Sequence, residues 1–460
     1  MALHFSQKED TIIALATPQG VGAIAVIRLS GNNAIKLANQ VFYGKDLEKQ
    51  ESHTIHFGTI RDEKRVIDEV LVSLFIAPKS FTKENVVEIS THGSSYIINQ
   101  VIKLLVSKGA RPALPGEFTQ RAFLNGQFDL AQAEAVADLI HSDSEASHQA
   151  AMNQMRGGFS GEIASLRTEL IHFASMIELE LDFTEEDVEF ASRDDLRILV
   201  EKLLRVVEQL ISSFDLGNVI KNGVPTVIAG KPNAGKSTLL NALLKEEKAI
   251  VSDIAGTTRD FIEDEINIGG VIFRFTDTAG IRETTDVLEA MGVSRTHEKM
   301  KAASLILYLF DLGDTDMVEI SKDINKLENM GIPFLKVANK VDKANPLFIN
   351  ELTKSYPDTI FISAGKKENL ETLTDRILAL VNLDKFRTGN TIVTNIRHYD
   401  SLTRTRQSLL DVLTGLDEEV SNDFLAMDIR RSLYFLGEIT GEITTDDLLA
   451  NIFSKFCIGK

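Results

Sequence analysis

The chain has 460 residues, a net charge of −18 and a single cysteine, Cys457. The length points to about three domains, the charge excludes a basic nucleic-acid surface spread over the whole chain, though not a local patch, and one cysteine excludes an internal disulfide framework. The apolar share of 43% is ordinary for a globular protein. The opening run MALHFSQKED has neither a basic start nor a long apolar stretch, so no secretory signal and a cytoplasmic location are expected.

In chain order, residues 1–122 read as mixed α/β, with strands expected at 11–16, 23–29, 70–77 and 86–90 and a helix at 95–107. Residues 123–222 turn helical. Leu196, Leu199, Val200, Leu203, Leu204, Val207, Leu210 and Ile211 recur at helical spacing, the signature of a buried helix face. The acidic run DFTEEDVE at 182–189 reads as a solvated helix end or loop. Strands and helices alternate through 223–384, as an α/β domain requires, and helices return in 385–460. Neither helical part looks able to bury its apolar face alone. The two are therefore expected to pack together, with the alternating segment inserted between them. The apolar run LILYLFD at 305–311 is far too short to span a bilayer.

The inserted segment carries four motifs in order. GKPNAGKS (230–237) fits G-x-x-x-x-G-K-[ST] and sits between an expected strand at 224–229 and an expected helix at 238–244. Gly230 and Gly235 let the backbone wrap phosphate oxygens. Asn233, Ala234, Gly235, Lys236, Ser237 and Thr238 are the expected phosphate contacts: Lys236 supplies a point charge, the helix N-terminus its positive dipole end, and the Ser237 hydroxyl a hard ligand for magnesium. GTTRD follows at 256–260. DTAG (277–280) ends an expected strand at 271–276. Asp277 there holds magnesium through water, and Gly280, beyond Thr278 and Ala279, offers its N–H to the terminal phosphate. NKVD closes the set with Asn339, Lys340 and Asp342. An ionised Asp342 only accepts hydrogen bonds; guanine presents two adjacent donors on that edge and adenine an acceptor, so GTP is selected over ATP. Ser363, Ala364 and Gly365 in FISAG form the last loop over the base.

All four motifs together specify magnesium-dependent guanine-nucleotide chemistry on a Ras-like P-loop domain, with Lys236 and Asp277 in the catalytic machinery. In Ras-like proteins a glutamine after the DTAG glycine orients the attacking water. Here that position is Ile281, so something else does that work. Asn233 either holds a monovalent cation or only shapes the loop; Glu289 either orients water or is a solvated helix residue.

Four further segments are distinctive: ATPQGVGAIAVIRLSG (16–31), SFTKENVVEISTHG (80–93), RPALPGEFTQRAFLNGQFDLAQAEAVADLI (111–140) and FCIGK (456–460). With the GTP motifs they make essentially the whole chain resemble the bacterial and organellar tRNA modification GTPases, the MnmE or TrmE family. The resemblance implies a tetrahydrofolate-binding-like, dimerising N-terminal α/β domain at 1–122. It implies an all-α helical domain built from 123–222 and 385–460 with a CIGK tail, and an inserted GTPase domain at 223–384. The implied function is a step in placing a carboxymethylaminomethyl-type group on the wobble uridine of tRNAs. The implied partners are a second copy of the chain, tRNA and a flavin- and NADH-using protein in a heterotetramer-type complex, with no membrane. The one-carbon donor is a 5,10-methylene- or 5-formyl-tetrahydrofolate-type derivative.

Residue by residue, the resemblance implies that Asn233 ligates potassium, joined by Ser252, Ile254 and Thr257 from a nucleotide-contacting loop that also holds Asp253, Ala255 and Gly256. The cation stands in for an arginine finger. Thr258 matches the second magnesium ligand beside Ser237, and Glu289 the residue that positions water. Arg28, Glu88, Gln127 and Lys460 match the folate positions; Gln127 stands where a lysine is common, which removes a charge. Cys457 has two readings, a thiol acting in RNA modification or a small buried apolar residue that positions the tail. CIGK is a poor prenylation box and is rejected as one. Two other functions share the GTP motifs: a regulatory switch or ribosome-assembly factor, and a GTP-binding scaffold without turnover. The acidic balance counts against the first, and the presence of Ser237, Thr258 and Asp277 against the second.

Overall fold

The computed structural model describes residues 10–182, 193–246, 263–276, 303–380 and 391–459. They form two compact units: Met1–Ala137 with Gln154–Val200 and Gln407–Lys460, and Asp138–Asn153 with Glu201–Arg406.

The first unit is built on a seven-stranded sheet. Its strands are β1 (Ile12–Leu15), β2 (Gly22–Ser30), β3 (Phe42–Tyr43), β4 (Thr54–Asp62), β5 (Arg65–Phe75), β6 (Val86–Gly93) and β7 (Arg111–Pro112), in the order β3-β4-β5-β6-β2-β1-β7. Neighbours are antiparallel except β1 and β7. Period-2 alternation decides which face is covered. Ile27 and Leu29 of β2, Val70, Val72 and Leu74 of β5, and Val87 and Ile89 of β6 lie in one core with Leu37 and Val41 of α1 (Ala34–Val41) and Val101 and Leu105 of α2 (Ser95–Ser107). Each such side chain, once fully buried, contributes about 1.5–3 kcal/mol. Ile12 and Ala14 point the other way, where Phe118 of α3 (Glu117–Leu124) and Phe81 cover them.

The β4 strand was not expected from the sequence, because its apolar residues mislead. Ile55 and Phe57 are exposed while His56 and Ile60 are buried. The expected strands at 11–16, 23–29, 70–77 and 86–90 correspond to β1, β2, β5 and β6.

Helices follow: α4 (Leu130–His141), α5 (Glu145–Met155), α6 (Gly158–Asp182) and α7 (Arg193–Ser212). On α7 the apolar stripe is core, with Leu196, Val200, Leu203, Leu204, Val207 and Leu210 all buried. The C-terminal part adds α13 (Ile396–Asp417), α14 (Asn422–Thr440), which packs on α6, and α15 (Asp446–Phe453), which packs on α3. Leu449, Ile452 and Phe453 of α15 share a core with Leu130 and Ala133 of α4.

The second unit holds α8 (Phe214–Asn222), β8 (Val224–Ala229), α9 (Lys236–Glu246), β9 (Glu263–Ile268), β10 (Val271–Thr276), β11 (Leu305–Asp311), α10 (Met317–Glu328), β12 (Phe334–Asn339), α11 (Pro346–Ser355), β13 (Ile360–Phe361) and α12 (Leu370–Leu380). Its six-stranded sheet has the order β13-β12-β11-β8-β10-β9, parallel apart from the β9–β10 hairpin. On β11, Leu305, Leu307 and Leu309 enter one core and Ile306, Tyr308 and Phe310 the other. That two-sided burial is why the run is continuously apolar. The open ends of β8, β11 and β12 meet at one edge, where ligands bind in such sheets.

Candidate nucleotide and folate sites

The phosphate loop leaves β8 through Gly230, whose φ is 153°; a Cβ there would lie 2.0 Å from the Leu309 carbonyl oxygen. Gly235, with φ of 99°, approaches the other strand, and its Cβ would lie 2.3 Å from Asn339 Nδ2. Only glycine fits either position. Between them Asn233 is exposed and left-handed, with φ of 65°, a conformation asparagine tolerates better than most residues. The first helical residue of α9 is Lys236. Its ammonium donates to the carbonyl oxygens of Gly230 at 2.6 Å and Lys231 at 2.9 Å. Ser237 and Thr238 lie exposed in the first turn, where unpaired N–H groups and the dipole favour anions.

The base side is stitched to this loop. Asn339, at the end of β12, is buried; its Nδ2 donates to the Ala234 carbonyl at 2.8 Å and its Oδ1 accepts from the Ala364 N–H at 3.0 Å. Lys340 is also left-handed, with φ of 64°. Its ammonium donates to Asp311 Oδ2 at 2.5 Å and to the Asn233 carbonyl at 3.1 Å. The Ser363 hydroxyl donates to Asp342 Oδ1 at 2.8 Å, and Lys366 Nζ stands 3.5 Å from Asp342 Oδ2. The Ser363 bond, with the Lys366 charge adding to it, holds the Asp342 carboxyl below the usual carboxylate range. The group is thus an acceptor throughout the neutral range.

In the first unit, Arg28 and Glu88 face each other directly across β2 and β6. Arg28 Nε donates to Glu88 Oε1 at 2.9 Å and Nη2 lies 2.8 Å from the same oxygen. The guanidinium carbon is 5.8 Å from the ring centres of both Phe81 and Phe118, within cation–π range. Arg28 Nη1 donates to the Gly459 carbonyl at 3.4 Å, which brings the C-terminal tail to the pair. Cys457 is exposed, and its carbonyl accepts from the Gly116 N–H at 3.3 Å. The tail is thus held by backbone, and the reading of Cys457 as a buried apolar plug is corrected. Gln127 is exposed beyond α3, its N–H bonded to the Ala122 carbonyl at 2.9 Å.

A family model described as the MnmE helical domain matches residues 130–457, and one described as the GTP-binding protein TrmE N-terminus matches 11–127. The tRNA modification GTPase MnmE of Cytophaga hutchinsonii is 61% identical over 451 residues, covering 98% of each chain. That of Flavobacterium psychrophilum is 54% identical, covering 98% of this chain and 99% of the relative. The chain belongs to the MnmE family of tRNA modification GTPases. A solved structure of Era with MgGDPNP and a 16S ribosomal RNA segment matches at 35% identity over 34% of this chain and 55% of that one, with a TM-score of 0.27.

Of the site residues expected from the sequence, the structure brings Asn233, Ala234, Gly235, Lys236, Asn339, Lys340, Asp342, Ser363 and Ala364 together. Gly365 continues the last loop, and Arg28 and Glu88 form an ion pair in the first unit. Ser252, Asp253, Ile254, Ala255, Gly256, Thr257, Thr258, Asp277, Thr278, Ala279, Gly280, Glu289 and Lys460 lie outside the described residues. Four residues escaped the sequence reading: Asp311, Lys366, Phe81 and Phe118. The one available signal was for Asp311, an acidic residue closing an apolar strand; the others join their sites only through tertiary packing. Among the described residues no helix is long and apolar enough to cross a membrane. No group of three or more His, Cys, Asp and Glu side chains there is placed to hold a metal.

Proposed function

We propose that this MnmE-family chain is a magnesium- and potassium-dependent GTPase acting in wobble-uridine modification of tRNA. It works in the cytoplasm as a homodimer, with a flavin- and NADH-using partner in a heterotetramer-type complex and a tetrahydrofolate one-carbon donor. The four-part division at 122, 222 and 384 belongs to this proposal. The observation that carries the GTPase reading is the stitch between the two halves of the nucleotide site: Asn339 and Lys340 bond the carbonyls of Ala234 and Asn233. Base recognition and phosphate binding therefore move as one body.

In this reading Asp342 accepts the two guanine donors while Ser363 orients it. Lys236 transfers its ammonium from loop carbonyls to the outer phosphates. Ser237 and Thr258 hold magnesium, and Asn233, with Ser252, Ile254 and Thr257, holds potassium; together the cations supply positive charge where negative charge develops in phosphoryl transfer. Asn233 fits that role, because its exposed left-handed geometry leaves its side chain at the loop surface. Glu289 orients the water that Ile281 cannot.

Arg28, Glu88 and the rings of Phe81 and Phe118 fit a flat heteroaromatic ligand bearing N–H donors and carboxylates. Glu88 accepts from the N–H groups, Arg28 binds an oxygen, and the rings exclude water. Bound there, a tetrahydrofolate derivative supplies the one-carbon unit. Lys460 and the Cys457 thiol, carried on the same tail, complete the site. The switch or assembly-factor alternative predicts no folate binding.

The test is steady-state GTP hydrolysis with magnesium, in potassium or sodium at equal ionic strength. Potassium-specific stimulation lost in Asn233→Ala supports the proposal; equal slow rates in both salts sink the cation-dependent mechanism.

A further inference from the structure

The loop that sets Phe81 against Arg28 is fastened to a second loop, after α3. The first, between β5 and β6, carries Phe81 and Lys83; the second, after α3, carries Gly126, Gln127 and Phe128. Lys83 Nζ donates to the Gly126 carbonyl at 2.6 Å. The rings of Phe81 and Phe128 lie 5.9 Å apart, and Phe81 is also one of the two rings against Arg28. Lys83 adopts a left-handed backbone, with φ of 58°. For a long side chain that conformation costs of order 1 kcal/mol and persists only where the surroundings dictate it.

The charges at this corner are unevenly spent. Arg28 is answered by Glu88 at 2.8 Å. Arg121 is ion-paired with Asp10, Glu84 and Glu117, and Arg111 with Asp10 and Glu117. Lys83 meets a neutral carbonyl and, among the described residues, has no carboxylate within ion-pair reach. It is half-buried along its length, and its bond to the Gly126 carbonyl is exposed, so the ammonium is open to a ligand. Gln127, the next residue after the carbonyl it holds, is neutral.

We propose that Lys83 is a ligand-binding residue of the Arg28–Glu88 site, and that its ammonium receives the glutamate-tail carboxylates of the folate. This deepens the folate reading above and rests on it. Arg28, already paired, orients the ring end; Lys83 supplies the uncompensated cation for the acidic end. The bond to Gly126 aims the ammonium without neutralising it and uses one of its three N–H donors, leaving two for a carboxylate.

The test is isothermal titration calorimetry of 5-formyl-tetrahydrofolate, as the mono- and the triglutamate, into the full chain. Lys83→Gln keeps a donor for the Gly126 carbonyl and removes the charge. It is expected to weaken binding about tenfold, more for the triglutamate, and to flatten the salt dependence of affinity. Adding Gln127→Lys to that variant returns a cation to the same corner and is expected to restore most of the affinity. Unchanged affinity in Lys83→Gln overturns the proposal. So does a loss that is equal at all ionic strengths and not restored by Gln127→Lys, which makes Lys83 a loop clip. If the wild-type chain binds neither folate, the folate reading itself fails, an outcome distinct from both.

Discussion

Asn339 reaches across from β12 to donate its side-chain N–H to the Ala234 carbonyl at 2.8 Å, inside the phosphate loop. Its other side-chain atom accepts from the Ala364 N–H, so one buried amide ties three loops. Replacing it with alanine leaves two buried backbone groups unpaired, at about 1–3 kcal/mol each. Asn339→Ala is expected to weaken nucleotide binding about a hundredfold and to lower the melting temperature of the nucleotide-free protein. Fluorescent GDP titration and a thermal melt check both.

Gly235 faces the same amide. A methyl group there would stand 2.3 Å from Asn339 Nδ2, at a φ of 99°. Gly235→Ala therefore both strains the backbone and displaces Asn339. Its nucleotide affinity is expected to fall at least as far as that of Asn339→Ala, and the double variant to be no worse than Gly235→Ala alone, because both break one contact. Additive losses would separate the two residues.

Asp342→Asn turns one acceptor into a donor. Guanine binding is expected to drop about a hundredfold while xanthine nucleotides gain, and competition between GTP and XTP reads the outcome directly. Because the Asp342 carboxyl is held below its ordinary value of 3.8, its contribution is complete above that value and disappears only as pH falls through the depressed one. Guanine affinity should be insensitive to this group from pH 8 to 5. Ser363→Ala removes the main cause of the depression and moves the titration upward, which carboxyl carbon NMR detects.

Turnover and binding should part at Glu289, to which the family resemblance gives the role of positioning water. Glu289→Ala is expected to lower kcat about a hundredfold or more with little change in GTP affinity. Parallel losses in kcat and affinity would make it a structural residue.

Arg121 holds together the start of β1, the loop before β6 and α3. Burial alone would raise the Asp10 carboxyl, but hydrogen bonds from Arg111 and Arg121 hold it below its usual value. Removing the cation leaves Glu84 without its ion-pair partner and Asp10 and Glu117 with Arg111 alone. Arg121→Met is expected to destabilise the first unit by about 3–5 kcal/mol, measured by urea unfolding at pH 7. The loss should shrink as pH falls and the carboxylates protonate.

Much of this was legible in the chain itself, for reasons that are local. The glycine-bounded loop at 230–237, the NKVD segment with Asp342, the strands β8, β10, β11 and β12 and the α7 stripe are written in consecutive residues or in short periods, and the family membership in contiguous segments. What stayed hidden depends on distance along the chain. The β4 strand exposes its Ile55 and Phe57 and buries His56, so its alternation points to the wrong face. Arg28 and Glu88 are 60 residues apart and look like ordinary strand residues until the register sets them opposite.

The residue types at the nucleotide site, and with them the expectation of guanine and magnesium chemistry, are readable from sequence alone, because each motif must present its own backbone N–H groups and oxygen ligands within a few residues. Only the tertiary structure decided that Lys340 bridges Asp311 to the Asn233 carbonyl, that Phe81 and Phe118 flank Arg28, that the Cys457 tail is pinned by Gly116, and that the Lys83 ammonium bonds the Gly126 carbonyl. Those are pairings of groups far apart in the chain. Their selection depends on strand register, packing and the satisfaction of buried polar atoms, quantities that no local window of sequence contains.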